Sequence, residues 1–281
     1  MSPWLRNTLQ IELAPDQVNL VHSEWKLTLR GGRASMTNRR FPAVAGDESS
    51  SSPWKGALRA LEKALPTHAG HPAHVRVILS SRLVRHVRVP WSDALSDADE
   101  ETAFARHCFD KVYGEAAAQW ELRLSPDRDG APMLASAVDA GLLCALRDAF
   151  DAAGVRLDSI QPNLMAVYND YRRALRNRNA WLALVEPGNL VLALRHQGNW
   201  VRIRSQRIDS GWRDELKLIL EREAYLTDPA VAARDVFVWA SGRGDIRLPE
   251  DARWQFLQLA PRPPHGLAST EQERFPMAME G

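Results

Sequence analysis

Between residues 181 and 213 the chain alternates apolar runs with short turns, the pattern of a meander of hairpins. Trp181-Leu182-Ala183-Leu184-Val185 reads as a strand and Glu186-Pro187-Gly188-Asn189 as a turn. Leu190 to Arg195 is a second strand, His196-Gln197-Gly198-Asn199 a second turn, and Trp200 to Ile208 a third strand. In the third, Val201, Ile203 and Ser205 alternate with Arg202, Arg204 and Gln206. Strand-favouring runs bounded by Gly and Asn are the sequence signature of antiparallel pairing. After Asp209-Ser210-Gly211 comes a helix over Trp212 to Tyr225, with Leu216, Ile219, Leu220 and Ala224 at helical spacing. A last apolar run, Val236 to Ala240, completes the order β-β-β-α-β.

The same order opens the chain. Leu9 to Leu13, Val18 to Val21 and Trp25 to Leu29 read as short strands, with a possible fourth over Arg33 to Phe41. Trp54 to Leu65 is a helix that Pro66 ends, and Val75 to Leu79 a strand, with another over Leu83 to Val89. Two similar halves in one chain indicate a duplicated fold. The length of 281 residues allows two domains. Lys+Arg at 36 against Asp+Glu at 35 gives no electrostatic case for nucleic acid. No apolar run approaches the ~18 residues of a membrane span, and the first residues lack the apolar core of a signal peptide. These features predict a cytoplasmic protein. Cys108 and Cys144 have no framework spacing and read as buried free thiols.

Between the halves, Ser96 is the expected cap of a helix carrying Ala103, Phe104, His107, Cys108 and Val112 on one side and ending at Gly114. Strands over 120–124 and 133–138 flank an Asp127-Arg128-Asp129-Gly130 turn. A helix over 139–153 closes at Gly154. A strand over 155–160 follows, then a helix that Pro162 opens and that runs from Asn163 to Arg176. Trp254 to Leu259 is the last strand. Residues from 261 on, rich in Pro and polar side chains, are expected to be disordered.

On these residues the chain resembles a known family. The middle region, with Leu134-Ala135-Ser136-Ala137-Val138, Ala153-Gly154-Val155 and the run to Pro162, is similar to the type IV pilus assembly protein PilM. It also resembles the cytoplasmic domain of the type II secretion protein GspL and related MSHA-pilus proteins. The resemblance implies an α/β fold of two actin-like, ribonuclease-H-like halves. Residues 1–178 would form the first, with an inserted helix and sheet at about 97–138. Residues 179–260 would form a second, truncated half, and 261–281 a tail. It further implies a non-catalytic cytoplasmic scaffold, recruited to the inner membrane by a cytoplasmic segment of a pilus or secretion protein. That segment would lie in a groove between the first subdomain and the insertion. Arg85, Arg88, Trp91 and Phe104 are the candidate contacts, with core aromatics and solvated arginines as the alternative reading.

ATP-binding relatives carry an Asp-x-Gly turn after the first strand of each half. Here the first half has Asp16 without a glycine, and the second has Glu186-Pro187-Gly188, whose proline removes an N–H that could face phosphate. Gly211 stands alone where relatives have Gly-Gly, and Gly242 is the remnant of a glycine-rich adenosine loop. Asp16, Glu186, Gly188, Gly211 and Gly242 thus mark a vestigial nucleotide cleft, with no cofactor expected and ATP bound weakly or not at all. The competing function is an ATP-dependent small-molecule kinase or ATPase. A ribonuclease-H-like nuclease ranks last, because the first strand offers only Glu12. Other features carry less. His68, His71 and His74 around two prolines are a weak metal pattern. Arg243-Gly244-Asp245 reads as a surface turn. Ser80-Ser81 with His86 lacks the elbow of a nucleophilic triad. The arginine stripes 82/85/88 and 202/204/207 read as solvated strand faces or as a surface for acidic partners.

Overall fold

The computed structural model describes residues 8–28, 31–42, 52–68, 74–95, 97–125, 130–176, 178–241 and 246–260, without the side chains of 23–28, 31–42, 67 and 68. The first half contains strands β1 (Thr8–Ala14), β2 (Gln17–Thr28) and β3 (Gly31–Pro42), helix α1 (Lys55–His68) and strand β4 (His74–Leu79). The second contains β9 (Ala180–Glu186), β10 (Asn189–His196), β11 (Asn199–Arg207), α6 (Trp212–Tyr225) and β12 (Asp235–Ala240). Between them lie β5 (Val84–Val89), α2 (Ala98–Tyr113), β6 (Trp120–Ser125), β7 (Met133–Asp139), α3 (Ala140–Ala152), β8 (Ser159–Pro162), α4 (Asn163–Asp170) and α5 (Arg172–Leu175). A final strand, β13 (Gln255–Gln258), follows.

The two halves have one topology. The first sheet runs β3-β2-β1-β4-β8 and the second β11-β10-β9-β12-β13. In the first sheet β1, β4 and β8 pair in parallel and β1-β2-β3 pair as antiparallel hairpins, and in the second β9, β12, β13 and β9-β10-β11 do the same. The third sheet, β5-β7-β6, is antiparallel, and α2 covers one of its faces through Ala105, Phe109, Val89 and Ala135.

Local chemistry explains the joints. Pro187 and Gly188 form the β9–β10 turn, with Gly188 at φ 71°, where only glycine is unstrained. Gln197 and Gly198 both have positive φ, 51° and 87°, the pattern of a type I′ hairpin turn whose twist matches the strands it joins. Asp139 caps α3, accepting from Leu142 N at 3.1 Å.

Several elements differ from expectation. The two short strands at 18–21 and 25–29 are one strand, β2, paired along its whole length with β3. Polar residues between the apolar ones suggested a break that cross-strand pairing overrides. Pro66 lies in the last turn of α1, where its missing N–H forgoes one bond without breaking the helix. Asp97 caps α2, accepting from Asp99 N and Glu100 N at 2.9 Å each; Ser96 lies outside the described residues. The buried face of α2 centres on Ala105 and Phe109, leaving Ala103 and His107 exposed and Val112 61% exposed. Apolar side chains spread around that helix, so periodicity alone left its face open. The strand expected at 155–160 is the shorter β8, and the helix from Pro162 splits at Tyr171 into α4 and α5. A register shift between Leu194 and Arg195 adds a residue to β11, breaking the expected alternation at Val201. Cys144 is exposed and Cys108 partly exposed, rather than buried. Residues 243–245, His71 and the tail beyond 260 lie outside the described residues.

Candidate functional site

Strand β9 ends on Glu186, at the C-terminal edge where the parallel strands of the two halves meet. Its side chain does not stay in its own half. Ser80 Oγ donates to Glu186 Oε2 at 2.5 Å, Ser81 N to Oε2 at 2.9 Å, and Ser81 Oγ to Oε1 at 3.0 Å. The Nδ2 of Asn163, first residue of α4, also donates to Oε1. Ser80 and Ser81 follow β4, so donors from two elements of the first half converge on one carboxylate of the second. Glu186 is only 6% exposed and Asn163 7%. The N-terminal end of α4 adds favourable partial positive charge. Hydrogen bonds to a charged acceptor contribute roughly 1.5–3 kcal/mol each when fully formed. Glu186 is therefore a latch between the halves.

Little free space remains beside the latch. The free space beside it, bordered by Glu12, Asn19, Ser80, Asn163, Glu186 and Pro187, is about 40 Å³. Small-molecule pockets span roughly 300–1,000 Å³, and one water takes about 30 Å³ of liquid. Of the cleft residues expected from the sequence, the structure places Glu186 here and takes Asp16 away. Asp16 sits on the β1–β2 turn, its carboxylate on Arg82 Nη1 at 3.1 Å, with its side chain 54% exposed. The first-half carboxylate that does border the cleft is Glu12, held by Gln10 Nε2 at 3.1 Å and Asn19 Nδ2 at 3.2 Å. Gly188 is exposed in its turn. Gly211 precedes α6 with an ordinary φ of −80°, its N–H on Asp209 Oδ1 at 2.6 Å. Gly242 lies outside the described residues. Ser81 and Asn163 belong to no motif, and nothing in the sequence brings them to Glu186.

A second concavity lies in the first half. It encloses about 710 Å³ between the third sheet, α3 and the segment leading through β8. Glu121, Arg123 and Ser136 line it from the sheet, Arg147 and Asp151 from α3, and Leu157 from the segment before β8. Arg147 meets Glu121 at 3.5 Å across the groove wall. Among the described residues Arg123 makes no ion pair. Ser136 is 5% exposed, and its Oγ lies 3.0 Å from His86 Nδ1. Burial, with Arg85 adjacent, lowers the His86 pKa from 6.5 to about 4, so the imidazole is neutral. His86 thus serves a buried serine on the neighbouring strand, not the Ser80-Ser81 pair. His74 Nδ1 lies 3.4 Å from an Asp158 oxygen. Among the described residues no group of three or more potential metal ligands exists.

Arg85, Arg88, Trp91 and Phe104 do not line this groove. The strand order β5-β7-β6 places β5 on the opposite edge of the third sheet from β6. Phe104 packs beneath α2, on the sheet face that carries Met133, Ala135 and Ala137, while the groove lies on the face of Ser136 and Val138. Arg85 is exposed, with its Nη1 on Arg82 O and Val84 O; Arg88 is exposed too, and Trp91 is 50% exposed.

No protein-family model matches the sequence, and no curated protein matches it either. Solved structures do. The cytoplasmic domain of EpsL, an inner-membrane component of the type II secretion system of Vibrio cholerae, aligns over 90% of both chains at 12% identity and a TM-score of 0.57. The PilM–PilN type IV pilus biogenesis complex aligns over 84% of this chain and 81% of the other, at 12% identity and 0.59. A Bacteroides thetaiotaomicron protein of actin-like ATPase fold aligns over 86% of each, at 10% identity and 0.51. At such identities the likeness is one of architecture: this chain has the actin-like fold.

Proposed function

We propose that this protein is a non-catalytic scaffold of a type IV pilus or type II secretion machine, recruited to the inner membrane by a cytoplasmic segment of a partner protein. The observation that carries this reading is the latched cleft. An ATP-using enzyme of this fold needs its nucleotide between the halves, and here Glu186 holds that space closed with four donors from the other half. The 710 Å³ groove remains open to a ligand. It is bordered by β6 and β8, each the outermost strand of its sheet. An extended segment can add to such an edge through main-chain hydrogen bonds and place alternate side chains in the groove. The division into a first half to residue 178 with its insertion, and a second half to 260, belongs to the same reading. So does the fold's likeness to EpsL and PilM. Among the described residues no helix is long and apolar enough to cross a membrane, which fits recruitment through a partner.

The test is crosslinking of the full chain in native membranes, followed by mass spectrometry. We expect a single-span pilus or secretion protein, crosslinked to residues of the groove and lost in Ser136→Trp and Arg123→Glu. Capture unchanged by both substitutions would overturn the groove assignment. Micromolar binding of Mg·ATP by calorimetry would overturn the scaffold reading itself.

A further inference from the structure

The end of the second half remote from the cleft has its own chemistry. Parallel pairing sets Ala180 level with Asp235, and Asp235 level with Gln255, so the residues just before β9, β12 and β13 all emerge at this end. They include Arg178, Arg234 and Arg253. Gln255 N donates to Arg234 O at 2.9 Å, and Gln197 N to Asn179 Oδ1 at 2.7 Å, fixing these segments side by side. The turn after α5 joins them, because Arg178 N donates to Leu175 O at 3.2 Å. That brings in Arg172, Arg173 and Arg176.

Arg178 is paired with Asp235 at 3.2 Å. Arg172, Arg173, Arg176, Arg234 and Arg253 are exposed, and among the described residues none of them makes an ion pair. The neighbouring Asp228 and Asp251 are tied to backbone N–H groups, of Ala230 at 2.9 Å and of Arg253 at 2.7 Å. Helix α6, on the opposite face of this sheet from α5, also ends at this end, where Arg202 Nη1 meets Leu226 O at 3.5 Å. Its last residues leave Tyr225 88% and Leu226 56% exposed. An apolar pair this exposed, at the same end of the sheet as guanidinium groups without ion pairs, is the composition of an interfacial surface. Cations meet headgroup phosphate, and an aromatic with a leucine enters the boundary layer.

We propose that this end of the second half docks directly on anionic phospholipid. The contact goes beyond the partner groove and does not depend on it. It would add a second, weak attachment, and two weak attachments together hold a protein at a membrane far better than either alone.

The experiment is co-sedimentation of the full chain with vesicles of phosphatidylglycerol and phosphatidylcholine in equal parts, and with phosphatidylcholine alone. We expect binding to the anionic vesicles only, released as salt shortens the Debye length from about 10 Å at 0.1 M toward about 3 Å at 1 M. Each arginine near the surface contributes about fivefold, so the triple variant Arg172→Glu, Arg173→Glu, Arg176→Glu should lose at least about a hundredfold. Tyr225→Ser with Leu226→Ser should lose severalfold at constant charge. All these positions are exposed, and thermal melts matching wild type would confirm folding. Arg123→Glu in the groove should bind vesicles as wild type does. A failure here therefore leaves the scaffold reading standing, and a failure of that reading leaves this surface to be judged alone. Equal binding to both vesicles, no binding to either, or an unchanged triple variant would overturn the proposal. Equally tight binding to a DNA duplex at the same salt would overturn it as well, by showing a general polyanion surface.

Discussion

Strands β1 and β9 hold the same place in two sheets of identical order, and they are built in opposite ways. β1, Thr-Leu-Gln-Ile-Glu-Leu-Ala, alternates: Leu9, Ile11 and Leu13 are buried, and the residues between them are partly exposed. β9, Ala-Trp-Leu-Ala-Leu-Val-Glu, is buried at every position. Aligned by their pairing to β4 and β12, Gln10 matches Leu182, Glu12 matches Leu184, and Ala14 matches Glu186. The difference lies in what covers the second face. In the second half, α6 closes one face through Leu216 and Leu220, and α4 with α5 closes the other through Leu164, Tyr168 and Leu175. The first sheet has α1 and α3 on one face, through Leu61 and Leu146. Among the described side chains its other face carries Gln10, Glu12, Asn19 and Arg76 beside Val21 and Ile78, with Arg76 Nε on Gln10 Oε1 at 2.9 Å. One topology therefore yields a two-faced core and a largely one-faced core; the first sheet offers the cleft Glu12 and Asn19 from within its strands, the second only Glu186 at a strand end.

The sharpest way to break this comparison is at the matched pair Leu184 and Glu12. Leu184→Gln places an unsatisfied amide in the core and should cost about 4 kcal/mol in urea unfolding. Glu12→Gln, an isosteric change at a partly exposed position that keeps an acceptor for Gln10 and Asn19, should cost less than about 1 kcal/mol. Equal costs would mean the two sheets are not built differently. The next pair is Ala14 and Glu186. Glu186→Ala strands the buried donors of Ser81 and Asn163 and should cost about 3 kcal/mol. It should also raise the protease sensitivity of the junction between the halves. A loss of under about 0.5 kcal/mol would show that the latch does not hold them.

The third sheet adds a polar contact of its own, between His86 and Ser136. The folded imidazole titrates near 4, because burial, and then Arg85, disfavours its charge. The unfolded chain takes up that proton below about pH 6.5. Stability should therefore be whole above pH 6.5 and fall as pH drops toward 4, by up to about 1.4 kcal/mol per unit. His86→Gln should flatten this slope; an unchanged slope would remove His86 as its source. The smallest effect belongs to Asp16. Its ion pair with Arg82 is exposed on both sides, so Arg82→Ala should stay within about 0.5 kcal/mol. A larger loss would show that the Asp16–Arg82 pair holds the β1–β2 turn in place.

The duplicated β-β-β-α-β order was legible in the sequence because it rests on local signals. Continuous burial in β9 and β10, the Pro187-Gly188 and Gln197-Gly198 turns, and the helical spacing of α6 each lie within a dozen residues. The extra partner of Glu186 was not legible. Its loss of an Asp-x-Gly turn could be read, but Ser80, Ser81 and Asn163 stand 23 to 106 residues away. Nothing about a serine pair announces which carboxylate it will meet. The groove behaved the same way, since Arg123 and Ser136 become neighbours of Leu157 only after three elements pack.

What the sequence determined by itself was the list of elements and the repeat, because hairpin turns, caps and apolar periodicity act between near neighbours. What only the tertiary structure decided was the buried face of α2, the register of β11, the direction of Asp16 and the closing of the cleft. Each of these depends on which distant surface arrives to exclude water, and that choice is made by packing rather than by local preference.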